Sequence, residues 1–174
     1  SAWIHSIHRG IDVARASGLT HVAAATGKTS EIAVQELYQL DPTALIDMGD
    51  FAGGVLKYLR LHPLKKLTLA GGFGKFTKLA QGHLDLHSAR SELDFNKLAI
   101  CLDELGAGKE IQQLAKNAIT AKAVLDLART ENLELANLIA VRAQKKALEA
   151  LDGKVDVEVC IFDRDGQLVG RAND

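Results

Sequence analysis

Between Gly71 and Glu92 the chain sets Gly71, Gly72 and Gly74, then Lys75, Lys78, His83, His87 and Arg90, with Asp85, Ser88, Ser91 and Glu92 interleaved. Glycines let a backbone approach a ligand closely and take up positive φ. Lysine and arginine make the stronger, charge-assisted hydrogen bonds to carboxylates and phosphates. Imidazole exchanges protons near neutral pH. A solvated, charged helix accounts for the lysines but gives no reason for two histidines. The glycines do not form the dinucleotide-binding fingerprint, because Thr77 stands where its last glycine is required. His83-x-Asp85-x-His87 is also a metal-ligand spacing: on extended backbone alternate residues share a face, whereas on a helix His83 and His87 share one and Asp85 points elsewhere. Beyond His21 and His62 no further Cys or His ligand is evident, and no protein-bound metal is expected.

Two other turns carry similar residue types. Thr26-Gly27-Lys28-Thr29 ends like a phosphate-binding P-loop, but Val22 occupies the position where that motif needs its first glycine. It reads better as a helix-capping turn, with Thr29 or Ser30 as N-cap, and the free N–H groups of that helix start can still face an anion. In Met48-Gly49-Asp50-Phe51, Asp50 is either a helix N-cap or a carboxylate accepting hydrogen bonds from a ligand.

The elements around these turns predict how they are positioned. Ile4, Ile7, Ile11 and Ala14 recur at helical spacing before Gly18, a C-cap glycine. A short apolar run, 21–25, precedes the first turn, and a helix carrying Ile32, Ala33, Leu37 and Leu40 follows it to Asp41-Pro42. Strands over 44–47 and 66–70 lead into the second and third turns, with a helix through Val55, Leu56 and Leu59 between them. Three strand–turn–helix units of this length predict a parallel sheet with crossover helices. From Asp94 the spacing becomes helical through about Arg142. Val155, Val157, Val159 and Ile161 then alternate with Asp156, Glu158 and Cys160, and Asp163-Arg164-Asp165-Gly166 is a hairpin turn before a strand over 168–171.

The expected fold is α/β, a three-layer Rossmann-like and mostly parallel sheet with a helical segment and a C-terminal β hairpin. It is read as a single domain: strand–loop–helix units over 1–93, helices over 94–151 and strands over 154–172. Ligands of such sheets bind beyond the carboxyl ends of the strands, where all three turns lie. Lys65 and Lys66 precede their strand and are read as solubilising charge at the opposite edge. His5 and His8 are read as surface residues.

Composition removes several classes of function. With 174 residues, 21 basic and 22 acidic, the net charge is −1, so no global field recruits nucleic acid. No apolar run approaches the roughly 20 residues that cross a bilayer, so no membrane partner is expected. Cys101 and Cys160 each sit in an apolar pattern and read as buried thiols in a reducing cytoplasm. The opening Ser1-Ala2-Trp3 runs straight into a helical pattern, so the chain is expected to be part of a longer one.

Beyond these readings, the chain resembles the cobalt-precorrin-5B C(1)-methyltransferase family of anaerobic cobalamin synthesis, in its C-terminal portion. The matching motifs are Thr26, Gly27, Ser30 and Glu31; then Gly49, Asp50, Phe51 and Gly53; and, most specifically, Gly74, Lys75, Lys78, Leu79, Ala80, Gly82, His83, Asp85, His87 and Ser88. The resemblance implies transfer of a methyl group from S-adenosylmethionine to C-1 of a cobalt-bound corrin precursor. It implies cofactor contacts from Thr26, Gly27, Gly49, Asp50, Gly71, Gly72 and Gly74. Lys75, Lys78, Ser88 and Arg90 are expected to bind the substrate's carboxylates, and His83, Asp85 or His87 to act as general base. The runner-up is a non-catalytic corrinoid-binding domain that needs a missing N-terminal half; a metal-dependent hydrolase using His83, Asp85 and His87 stands third. Oligomeric state is left open, a homodimer included.

Overall fold

The computed structural model describes residues 1–88 and 92–173. Helix α1 (Ala2–Ala16) starts at Ser1, whose hydroxyl accepts the Ile4 N–H at 3.2 Å, and buries Ile7, Ile11 and Ala14. Three units follow: β1 (His21–Ala25) with α2 (Lys28–Tyr38), β2 (Leu45–Asp47) with α3 (Ala52–Leu61), and β3 (Lys66–Gly71) with α4 (Phe73–Ala80). Helices α5 (Phe95–Glu104), α6 (Lys109–Lys116), α7 (Ala121–Thr130) and α8 (Leu135–Ala150) lead to β4 (Asp156–Phe162) and β5 (Leu168–Ala172).

The strands form one sheet in the order β2-β1-β3-β4-β5, parallel throughout except for the antiparallel β4–β5 pair. The predicted α/β class, parallel sheet and C-terminal hairpin are all present. Gly166, at φ +77°, closes the hairpin turn, while the Asp163 carboxylate accepts the N–H groups of Asp165 and Gln167, each at 2.9 Å.

The two faces of the sheet are covered unequally. One carries Val22, Ala24, Leu67, Leu69, Val157, Val159 and Ile161 into a large core with α1, α3, α4 and the α5–α8 helices. The other carries Ala23, Ala25, Ala70, Cys160 and Phe162 against Ala33 and Val34 of α2. With α2 as its cover, that second core is small, and Ile32 and Leu37 of α2 lie 46% and 40% exposed. The expectation that Ile32 and Leu37 belong to the buried stripe is therefore corrected: Ser30, Ala33 and Val34 form it. The alternation in β4 also misleads, since Glu158 and Cys160 are as buried as the apolar residues between them. α8 crosses β5 with no clearance, for a Cβ at Gly170 would stand 2.6 Å from the Ala136 backbone. Cys101 and Cys160 are free and buried, as expected. Among the described residues no helix is long and apolar enough to cross a membrane.

Candidate functional site

From β1 the chain runs through α2 to β2 on one side, while β3 lies on the other. A crevice opens where neighbouring connections diverge in this way, beyond the carboxyl ends of the strands. The Thr26 N–H donates to the Ala70 carbonyl at 3.0 Å, extending the β1–β3 pairing to the rim. A Cβ at Gly71 would meet Thr26 Oγ1 at 2.7 Å, so any side chain here would have to displace that of Thr26. Gly27, in extended conformation, is the N-cap of α2, and no side chain caps the helix start. The expected caps, Thr29 and Ser30, lie inside the helix; Ser30 is buried, and its hydroxyl donates back to the Gly27 carbonyl at 3.1 Å. A cleft of about 260 Å³ results, lined by residues 26–30, by Gly72, and by Phe162, Asp163 and Arg164 from the end of β4.

A second cluster forms on the α3 side of the rim. The third turn passes into helix at Phe73, so Lys75 and Lys78 project from α4. Lys75 Nζ lies 2.5 Å from Asp50 Oδ1 and 3.3 Å from the Leu86 carbonyl, and Lys78 Nζ donates to that same carbonyl at 3.2 Å. The Leu86 N–H returns to the Asp50 carbonyl at 2.9 Å. One residue further along, Phe51 and Asp85 form an antiparallel bridge, and the Gly53 N–H donates to the Leu84 carbonyl at 3.0 Å. Asp50 is thus not an N-cap, the position held by Phe51; it is the acid that pairs with Lys75.

Pinning turns Leu86 fully inward and packs Leu84 on the core, while His83, Asp85 and His87 alternate with them, His83 and Asp85 half-buried and His87 exposed. Asp85 Oδ1 accepts the His87 N–H at 3.0 Å, and Ser88 next to it is exposed. Arg90 lies outside the described residues. Among the described residues no three His, Cys, Asp or Glu side chains come together as a metal site.

The residues expected to hold a cofactor therefore separate. Thr26, Gly27 and Gly72 line the 260 Å³ cleft, and Gly71 abuts Thr26 at its edge. Gly49, at φ +53°, is pressed against the Trp3 indole, where a Cβ would come within 2.6 Å of the ring. Gly74 faces Ala121 of α7, and Asp50 is engaged by Lys75. Phe162, Asp163 and Arg164 were not anticipated as site residues; their turn follows a strand that pairs parallel to β3 and so ends at the same rim.

A third polar group sits at the opposite, amino end of the strands, beneath the end of α2. Glu158, 1% exposed, accepts from Arg171 Nε at 3.1 Å and Nη2 at 2.9 Å, from Thr68 Oγ1 at 3.2 Å and from the Tyr38 hydroxyl. His21 Nε2 lies 2.7 Å from Thr68 Oγ1, and Lys66 Nζ stands 5.4 Å from the centre of the Tyr38 ring. Lys66, expected to be purely solubilising, belongs to this group. Burial drives the Glu158 carboxyl upward, but hydrogen bonds from Tyr38 and Arg171 outweigh it and hold the pKa below its ordinary value. Burial and the nearby Lys66 charge lower that of His21. Burial, with the Glu158 charge adding to it, pushes the Cys160 thiol up to about 12, which leaves it unreactive. Every charge here is answered from within the protein.

A family model described as CbiD, C-terminal domain, matches residues 85–173. Proteins named cobalt-precorrin-5B C(1)-methyltransferase are similar across nearly the whole chain. That of Bradyrhizobium sp. (strain BTAi1) is 55% identical over 172 residues, covering 98% of this chain and 46% of the relative. The one from Brucella anthropi is 55% identical, covering 98% and 47%, and the one from Brucella ovis 54% identical with the same coverage. The chain thus spans about half the length of the curated relatives it matches. No solved structure matches it.

Proposed function

Because the chain belongs to the CbiD family through its C-terminal domain, we propose that it is the C-terminal part of an enzyme that methylates C-1 of cobalt-precorrin-5B in anaerobic cobalamin synthesis, with S-adenosylmethionine as donor. The observation that carries this reading is 55% identity to proteins of that name over 98% of the chain. A cytoplasmic setting agrees with two free, buried thiols.

The cleft between the ends of β1, β3 and β4 suits the donor. Beside Gly72 a Cβ would meet nothing within 4 Å, so the rim is open there, and Arg164 and the start of α2 offer positive character to a carboxylate. Thr26, Gly27 and Gly72 would hold it with these residues. When bound, S-adenosylmethionine supplies an electrophilic methyl group. The protein's task is then to hold the acceptor carbon in line with it and to receive any proton lost, which makes positioning the largest catalytic contribution.

The second cluster suits the acceptor. A corrin precursor carries many acetate and propionate side chains. Lys78 directs one of its three donors at Leu86, leaving others for a carboxylate. Lys75, tied to Asp50, acts mainly by fixing the 84–87 segment, with Ser88 and Arg90 completing the substrate contacts. That segment presents His83, Asp85 and His87 on one side, with His87 exposed and the other two half-buried, and one of them serves as general base.

A second reading is favoured by the 46% coverage: this part binds the corrinoid, and the remaining half supplies the donor site. Titrating S-adenosylhomocysteine into this chain by calorimetry separates the two. Saturable binding, weakened by Arg164→Glu, supports the donor site proposed here. A flat titration in a chain that still binds a corrinoid leaves the acceptor-module reading.

A further inference from the structure

Between α1 and α3, next to the pinned segment, lies a cleft of about 470 Å³ with Asp85 on its border. We infer that this cleft, together with the basic faces of α1 and α3, seats one edge of the polycarboxylate corrin ring. The inference rests on the acceptor reading above and gives the ring a place on the protein.

Three observations converge on a flat, anionic ligand. The walls are apolar and partly aromatic, from Ile4, Phe51, Leu61 and Leu84. His8 and Tyr58 stack along the cleft, ring centres 4.0 Å apart and planes within 14° of each other, and Tyr58 is held by its hydroxyl's 2.6 Å bond to Asp12. A rigid aromatic surface of this kind takes a planar conjugated ring at little entropic cost. The charge around it is also one-sided. α1 and α3 together carry Arg9, Arg15, Lys57 and Arg60 against a single carboxylate, Asp12, in a chain whose net charge is −1. That is a local field suited to peripheral carboxylates.

Size agrees with a ligand that spreads across the surface. His8 also borders a neighbouring depression of about 510 Å³ lined by His5, Arg9 and Asp12, so the two adjoin at His8 on α1. At the other end Leu84 and Asp85 join the cleft to the segment bearing His83 and His87. A ring edge placed here has its carboxylates toward α1 and α3 and its reacting edge beside the proposed base.

The test uses cobyrinic acid, a stable cobalt corrinoid with free carboxylates, and its methyl ester, titrated into this chain by visible absorbance. Lys57→Glu and Leu61→Glu both change exposed side chains, so the fold should survive them. Each is expected to weaken cobyrinic acid binding about tenfold, the loss of roughly one charge-assisted or apolar contact. The ester should bind less well than the acid, and Lys109→Glu, an exposed charge reversal on α6, should leave binding unchanged. Wild-type affinity in both cleft variants, or no binding by the unaltered chain, overturns the inference. A full-length protein carrying this chain separates that failure from failure of the functional reading. If it methylates cobalt-precorrin-5B and Lys57→Glu does not raise KM, the ring sits elsewhere and the function stands. If the unaltered protein does not methylate it, the function falls.

Discussion

Two clusters of charged residues, one at each end of the strands, are arranged on opposite terms. Under the end of α2, Glu158 is sealed among Arg171, Thr68 and Tyr38, with every polar atom answered. At the carboxyl rim, Lys75 pairs with Asp50, and Lys75 and Lys78 both donate to the Leu86 carbonyl while still partly open to solvent, Lys75 being 38% and Asp50 25% exposed. The first arrangement is closed and serves the fold. The second spends part of its hydrogen-bonding capacity on its own loop and keeps the rest facing outward. Buried charge is tolerated only when paired, whereas half-exposed charge can wait for a ligand.

The sharpest way to break this contrast is to remove one partner from each place. Glu158→Ala leaves Arg171 and the Tyr38 hydroxyl without their acceptor and should cost about 3 kcal/mol of stability in urea unfolding, the lower end for a broken buried pair because Arg171 is one-third exposed. A loss below about 1 kcal/mol would mean the network is ornamental. At the rim the expectation reverses. His87→Ala in a full-length protein should lower kcat on the order of 100-fold, the smaller range for a general base, with an unchanged unfolding midpoint. Full activity would remove His87 from the catalytic set.

Acid should also reach the closed network first. The folded pKa of Glu158 lies below its ordinary 4.5, so its contribution is intact above that value and is lost as the pH falls through the lower, folded one. His21 is likewise depressed from 6.5, so below that pH the unfolded chain takes up a proton before the folded one does. Stability should fall as the pH drops below about 6.5, then fall again below about 4.5. Stability that is flat from pH 7 to pH 5 would show that His21 does not contribute. The smallest effect belongs to Lys75→Met. A partly exposed ion pair of this kind should cost less than about 1 kcal/mol, yet exchange of the Leu86 and Gly53 amide protons should quicken as the segment loosens. Unaltered exchange would mean that backbone pairing alone holds it.

Much of the fold was legible because backbone punctuation and strand patterning are local. Ile7, Ile11 and Ala14 mark the α1 face, β1 spans 21–25 as read, and Gly166 closes the predicted turn. What escaped was tertiary. Nothing local says that α2 is the cover on its side of the sheet, so Ile32 and Leu37 looked like core residues. Glu158 looked like the wet side of a strand because its counter-charge, Arg171, comes from a neighbouring strand. At the site, residue types pointed to the carboxyl rim of the sheet, but Gly49 is crowded by the Trp3 indole, and at Gly74 a Cβ would stand in ordinary contact with Ala121 of α7. Phe162–Arg164 joined the rim through strand order, which local spacing does not encode.

The close seam between Gly170 and Ala136 has a consequence for how the molecule comes together. Arg171 reaches Glu158 only once β5 has slotted beneath α8, and any side chain at 170 would hold the strand off. Without β5 the acid on β4 has the Thr68 and Tyr38 hydroxyls and the nearby Lys66 charge, but no guanidinium to donate to it. The amino end of the α2 face is therefore complete only with β5 in place, where Arg171 meets both Glu158 and the Tyr38 hydroxyl.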